Sequence, residues 1–213
     1  MTTGNDIALE PWNADAVANT YTWPQRLWVR ANLVASVSGQ TAGASGTSRD
    51  LTTAEDRKIL RLIRRDCDAL VVGAASIRSE GWHLPPRGHT YVVSQGSPLP
   101  WHSCPDTARV TEWAARPDEK LNALTSRLFA HLAETGARAI LCEGGVATVR
   151  ALAAEKLLDE LCLTVRGAHL ADAQRAFTSI LPDSPPWRRT SAMLSEDRAT
   201  IFSVWRCATE KHS

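Results

Sequence analysis

Residues 138–150 read RAILCEGGVATVR, and their pattern sets the fold class. Ala139 to Cys142 is a short apolar run of strand type, Glu143 is a lone acid at its end, and Gly144-Gly145 opens a segment with apolar positions at helical spacing. The reading is strand, glycine turn, helix N-terminus. At such a turn unpaired N–H groups carry the positive end of the helix dipole, and residues without Cβ let a phosphate approach the main chain. Any tight strand-to-helix turn can use glycine as well, so the neighbouring segments must decide between a packing turn and a binding turn.

Working outward, residues 27–36 (LWVRANLVAS) have the composition of a buried strand, followed by the hydroxyl-rich, glycine-rich loop 37–50. Such a loop is either plain connection or a wrap around a polar ligand at the end of a strand. Thr52 or Thr53 caps a helix running to about Arg65, with Ile59, Leu60 and Ile63 on its apolar face. Arg57, Lys58, Arg61, Arg64 and Arg65 decorate that helix. Most of these belong to a solvated face, and Arg64 stands out because it lies where the chain turns into the next strand.

Residues 69–72 (ALVV) form a further strand running into GAASIRSEGW, where Ser76 can offer a hydroxyl to a phosphate. Two such turns point to a nucleotide more strongly than one. Residues 84–89 (LPPRGH) are loop because of the paired prolines, and Arg87 there is a surface charge or a planar phosphate donor. Strand runs follow at 90–93 and 108–110, a leucine-striped helix at 118–134, a helix from the glycine turn to about Leu158, and a strand at 160–165. A loop is expected over 166–186, then a terminal hairpin from 187–194 and 199–207. Residues 1–24 read as an arm packing Trp12 and Trp23 on the body or on a second subunit, and 25–213 as a single domain. The expectation is an α/β fold, a mostly parallel sheet covered by helices on both faces, with an antiparallel C-terminal hairpin.

Composition narrows the function. Among 213 residues, 24 basic and 23 acidic side chains leave a net charge of +1, so no global field gathers nucleic acid or an anionic membrane. The five cysteines are scattered without metal-ligand spacing, which suits a reduced, cytosolic chain with no structural zinc. No leader-like start or membrane-length apolar run is present in the sequence. Motifs of serine hydrolases, zinc proteases, P-loop enzymes and the G-x-G-x-x-G dinucleotide turn are missing as well. The residues by themselves thus lead to a nucleotide- or phosphosugar-binding α/β domain.

Resemblance leads further. ASVSGQTAGASGTS at 35–48, IRRDCDALVVGAASIRSEGW at 63–82, Glu143-Gly144-Gly145 and LLDELCLTV at 157–165 occur in the order found in the pyrimidine reductases of riboflavin biosynthesis. The chain resembles that family, whose fold is dihydrofolate reductase-like. The resemblance implies NADPH as cofactor and hydride transfer to the ribosylamino carbon of a phosphorylated pyrimidine, giving the ribitylamino product. It implies Ala35, Ser76 and Glu80 along the cofactor, and Gly144, Gly145, Val146, Ala147, Thr148, Val149 and Arg150 around its diphosphate. Ser94 is the expected contact to the 2′-phosphate. Ser38, Ser48, Arg64, Leu84 and Arg87 would line the substrate, with Glu143 facing it at the nicotinamide end; the proton donor is a protein group or a water. A cytoplasmic homodimer is also implied.

The sequence departs from the family pattern at Ser38, where an Asp is usual, and at Gln40, Val146 and Ser76. Loss of a carboxylate changes which polar groups a pocket satisfies, so cofactor binding is better supported than the pyrimidine. A catalytically silent NADPH-binding protein and a dihydrofolate reductase-like enzyme stay open as alternatives.

Overall fold

The computed structural model describes residues 7–182 and 186–208. In chain order its elements are β1 (Glu10–Pro11), α1 (Ala14–Thr20), β2 (Trp28–Ser36), α2 (Ala54–Arg65), β3 (Ala69–Gly73), α3 (Ala74–Glu80), β4 (His89–Ser94) and β5 (Val110–Ala114). There follow α4 (Leu121–Glu134), β6 (Ala139–Cys142), α5 (Val146–Ala154), β7 (Glu160–Arg166), α6 (Leu170–Ile180), β8 (Trp187–Leu194) and β9 (Ile201–Cys207).

Period-two alternation divides the central strands between two cores. In β2, Val29, Ala31, Leu33 and Ala35 face the stripes of α4, α5 and α6, where Leu124, Leu128, Val149, Leu152, Ala176 and Ile180 are buried. Leu70 and Val72 of β3, Leu141 of β6 and Cys162 of β7 face the other way, onto Val17 of α1, Ile59 and Ile63 of α2, and Ile77 of α3. One sheet in the order β1-β8-β9-β7-β2-β6-β3-β4-β5 thus carries helices on both faces. All neighbouring pairs are parallel except β7 with β9 and β8 with β9, which are antiparallel. The expected architecture is the observed one.

Connectivity dictates where a crevice opens. From β2 the chain crosses by α2 to β3, and from β6, which lies between those strands, it crosses by α5 to β7 on the opposite face. Adjacent strands that send their helices to opposite faces leave a gap beyond their C-terminal ends.

Several expected boundaries change. Residues 166–186, read as loop, contain α6, whose Leu170, Ala173, Ala176, Phe177 and Ile180 do have helical spacing. Two of those five positions are alanine, so its periodicity is quiet, and its start is fixed by a reciprocal cap between His169 and Asp172. The strand expected at 108–110 is displaced: residues 107–109 form a 3-10 turn and β5 starts at Val110. The leucine-striped helix begins at Leu121 rather than residue 118, where Asp118 has φ 58°, and α5 stops at Ala154 before Lys156 at φ 55°. Residues 7–24 contribute β1 and α1. Their tryptophans pack on the body: Trp12 lies 5.0 Å from the Phe202 ring, and Trp23 Nε1 donates to the Ile63 carbonyl at 3.1 Å.

Candidate functional site

A cleft of about 350 Å³ lies at the predicted crevice, on the face of the sheet that carries α2 and α3. Asn32 and Val34 of β2, Thr41, Ala42, Gly46 and Ser48 of the hydroxyl-rich loop, Ser76, Ser79 and Glu80 of α3, and Glu143 and Gly145 of the β6–α5 turn line it. Its remaining wall is one stripe of α2, where Asp56, Leu60 and Arg64 follow at four-residue spacing and so share a face.

That stripe holds two carboxylate arrangements of different kinds. Arg64 grips Glu143 with two parallel bonds, Nε to Oε1 at 2.7 Å and a terminal guanidinium nitrogen to Oε2. Burial acts against the Arg64 charge, but the Glu143 carboxylate outweighs it and the guanidinium pKa is raised. Asp56 is 3% exposed, and its Oδ1 accepts from the Thr164 hydroxyl of β7 at 2.6 Å. Burial pushes the Asp56 carboxyl above its ordinary value; the Thr164 bond opposes the rise and the nearby Glu143 charge adds to it.

The two glycines of the β6–α5 turn differ in role. A Cβ on Gly144 would lie 3.1 Å from the Gly73 amide nitrogen and from Thr148 Oγ1, so Gly144 lets the β3–α3 turn pack closely against this one. A Cβ on Gly145 would meet nothing within 4 Å, and Gly145 borders the cleft. Gly73 and Gly145 are the caps of α3 and α5, and neither helix has a side-chain cap. The first-turn amides of α5 are therefore left for a ligand, which is the arrangement a dinucleotide diphosphate requires. Farther along α5, Val146 is half-buried, Ala147 exposed, and Thr148 and Val149 buried. Arg150 donates to the carbonyls of Ile180 and Ser179 at 2.7 and 2.8 Å, closing the C-terminus of α6.

Glu80, expected along the cofactor, and Ser48, expected on the substrate, are bonded to each other. The Glu80 carboxylate accepts from the Ser48 amide at 2.8 Å and from its hydroxyl at 3.0 Å, fixing the hydroxyl-rich loop to α3. Ser76 lines the cleft as expected. Ala35 is completely buried in the core, and Leu84 packs in the α2–α3 core. Ser94 is fully buried at the end of β4, its hydroxyl accepting from the Gly96 amide at 3.4 Å. Ser38 is exposed outside the cleft lining, 2.9 Å from the Ser36 hydroxyl. Arg87 is exposed just before β4 and electrostatically coupled to Asp66, and it does not line the cleft.

Sequence reasoning passed over Asp56, Asn32 and Thr164. The signal was faint: Asp56 reads as an ordinary acid in a helix first turn, and only the partner β7, 108 residues away, makes it a buried cleft group. All five cysteines are free, and burial drives the Cys67 and Cys142 thiols up to about 12, which leaves them unreactive. Among the described residues no group of His, Cys, Asp and Glu could hold a metal ion, and no helix is long and apolar enough to cross a membrane.

Comparison with known proteins agrees with this geometry. A pyrimidine reductase-like protein from Corynebacterium diphtheriae superposes with a TM-score of 0.67 at 20% identity, over 86% of this chain and 93% of that one. RibD from Acinetobacter baumannii gives a TM-score of 0.66 at 16% identity; the match covers 86% of this chain but only 59% of that longer protein. Dihydrofolate reductase from Enterococcus faecalis, solved as a complex with NADP(H), gives 0.56 at 12% identity, over 85% and 97% of the two chains. Among curated protein sequences no match is found. Residues 27–192, from the first central strand into the terminal hairpin, match the family described as the RibD C-terminal domain, and the chain belongs to that family.

Proposed function

We propose that the chain is an NADPH-dependent reductase that adds hydride to the ribosylamino carbon of a phosphorylated aminopyrimidine, giving the ribitylamino product. One observation carries the proposal: the uncapped N-terminus of α5 opens through Gly145 onto a cleft bordered by Glu143 of the same turn and walled by the α2 stripe with Asp56. Membership of the RibD C-terminal domain family supports a reductase, and the dihydrofolate reductase neighbour, solved with NADP(H), supports a nicotinamide cofactor.

The residues present fit such a cofactor. The amides of Gly145, Val146 and Ala147 would receive its diphosphate, with Ser76 along its length, and when bound it supplies a hydride from the nicotinamide ring. In the open-chain imine form of the substrate the carbon takes the hydride, the C=N π pair moves to nitrogen, and nitrogen takes a proton. Glu143 is occupied with Arg64, whereas Asp56 lines the cleft with only its Oδ1 bonded, to the Thr164 hydroxyl, so Asp56 is the carboxyl placed to relay that proton. Ser38, where the sequence departs from the family pattern, is outside the cleft lining, its hydroxyl 2.9 Å from that of Ser36.

The test follows NADPH absorbance with the ribosylamino pyrimidine phosphate, alongside an NADPH melting shift. Oxidation with a shift is the expected result. A shift without oxidation makes the chain a silent binder, and neither signal overturns the reading. Gly145→Asp sharpens the test. At a helix N-cap Asp is at least as good as Gly, so the variant folds, yet its carboxylate confronts the diphosphate and the NADPH shift disappears. Assembly as a homodimer belongs to the same proposal, and gel filtration at the 23.2 kDa mass of one chain would refute it.

A further inference from the structure

A recess of about 330 Å³ opens at the N-terminal ends of β3 and β4, on the face of the sheet that α4 covers. Asp68, His89 and Tyr91 line it from the strand side, and Leu132 and Thr135 from the C-terminal end of α4. Residues 89 and 91 share a face by the two-residue period of a strand, and α4 lies over that face through Leu128 and Leu132. None of the residues around the recess lines the main cleft, which opens at the other ends of the strands and on the other face.

A buried tyrosine ordinarily finds a partner for its hydroxyl, because a desolvated O–H is costly to leave unpaired. Tyr91 is 9% exposed, yet among the described residues its hydroxyl makes no hydrogen bond. The rings of His89, His131 and Trp113 flank it at 5.0, 6.0 and 6.4 Å, so the recess is the side on which a partner can stand. Asp68 supplies a second unused acceptor. Its Oδ2 takes the amides of Arg138 and Ala139 at 2.8 and 2.9 Å, which pins the side chain beside the start of β6, while Oδ1 takes nothing among the described residues.

The electrostatics have one sign. No Lys or Arg lines the recess, and α4 turns the negative end of a 14-residue helix toward it. His89 stays neutral, since burial and the Arg109 charge both hold its pKa below the ordinary value, and its Nε2 lies 2.8 Å from the Thr111 hydroxyl. Arg109 itself is bonded to the carbonyls of Pro85 and Gly88 at 2.6 and 2.9 Å. The Tyr91 ring adds an aromatic surface that attracts cations, and Leu132 adds an apolar wall.

We propose that this recess binds a small organic ammonium ion, a primary amine carried on an apolar group. Asp68 and the Tyr91 hydroxyl accept from the ammonium N–H groups, and the apolar part lies against Leu132. The site stands apart from the reductase reading, because it shares no residue with the cleft or with the β6–α5 turn.

The experiment titrates benzylamine, charged at neutral pH, into the full chain by calorimetry, with benzyl alcohol as its uncharged counterpart. Tyr91→Phe and Asp68→Asn are measured in parallel, and benzylamine is titrated again into the unmodified chain with NADPH present. Benzylamine binds the unmodified chain saturably, and benzyl alcohol binds roughly tenfold more weakly or not at all. Tyr91→Phe deletes one oxygen and weakens benzylamine about threefold; Asp68→Asn keeps an oxygen for the two amides and weakens it roughly tenfold. Added salt weakens it as well, and NADPH leaves it unchanged. No saturable binding, equal binding of the alcohol, or unchanged binding in either variant overturns the site. Displacement by NADPH overturns it too, by placing the amine in the cleft. Should Asp68→Asn fail to fold, Tyr91→Phe decides alone, since it removes a hydroxyl that the fold does not bond.

Discussion

Two ion-pair clusters lie on the same face of the sheet and are built from the same residue types, yet the chain treats them oppositely. Near the N-terminal ends of β2 and β7 and the C-terminal end of antiparallel β9, Arg30, Glu160 and Arg206 oppose one another directly. The Arg30 and Glu160 side chains are 0% exposed, 2.5 Å apart, and Arg30 also donates to the Tyr21 carbonyl and stacks on Trp23. Nearer the C-terminal ends, Arg64 and Glu143 are 19% and 11% exposed and border a cleft that the chain leaves open. In the first cluster the Arg30–Glu160 pair is enclosed by the protein, with residues after α1 folded over it, and Arg206, 44% exposed, closes its outer side. The second keeps part of its hydrogen-bonding capacity for something else. A buried charge that is completely partnered reads as architecture, and one facing a gap at a topological switch reads as a site.

The comparison breaks most visibly at Glu160. Glu160→Gln keeps the shape but removes the charge, leaving Arg30 sealed without its counter-ion, and should cost about 3–5 kcal/mol in urea unfolding. Glu143→Gln should cost about 1 kcal/mol or less, since Arg64 can rehydrate through the cleft, while the proposed turnover is lost. Equal destabilisation in the two variants would show that both clusters are structural.

How much of this was legible in the sequence follows the same division. Strands with strong apolar runs and the turn at Gly144-Gly145 were readable because their signals are local. So was the choice of Arg64 and Glu143, through the family pattern, and the structure brings the two together. α6 was missed because alanines supply two of the five positions on its inward stripe, and α1 because Asn13 caps only a seven-residue helix in a polar stretch. Asp56 was missed for a different reason. A first-turn acid on a helix is ordinarily solvated, and nothing within 100 residues of it reveals that Thr164 and β7 enclose it. Arg57 was read only as one member of a charged helix face, since sequence does not say which of those residues border a cavity.

Asp56 gives the finest test of the contrast, because here a charge should cost stability. Its folded pKa lies above the ordinary aspartate value of 3.8, chiefly through burial. In the window from about 3.8 up to the folded value the native state binds more protons than the unfolded chain. Stability therefore falls as pH rises through that window and stays at the lower level above it. Asp56→Asn keeps an acceptor for the Thr164 hydroxyl and has no proton to lose, so its melting should not show that decline. Relative to the unmodified chain the variant gains stability as pH passes upward through the window, and the gain vanishes below it. Urea midpoints from pH 3 to pH 8 check this, with NADPH melting shifts showing that the cofactor side is intact. A variant less stable than its parent at neutral pH would place Asp56 with Glu160, as a charge the fold needs. A variant as stable or more stable, and without turnover, would mark Asp56 as a charge retained against the interest of the fold, which only work at the cleft accounts for.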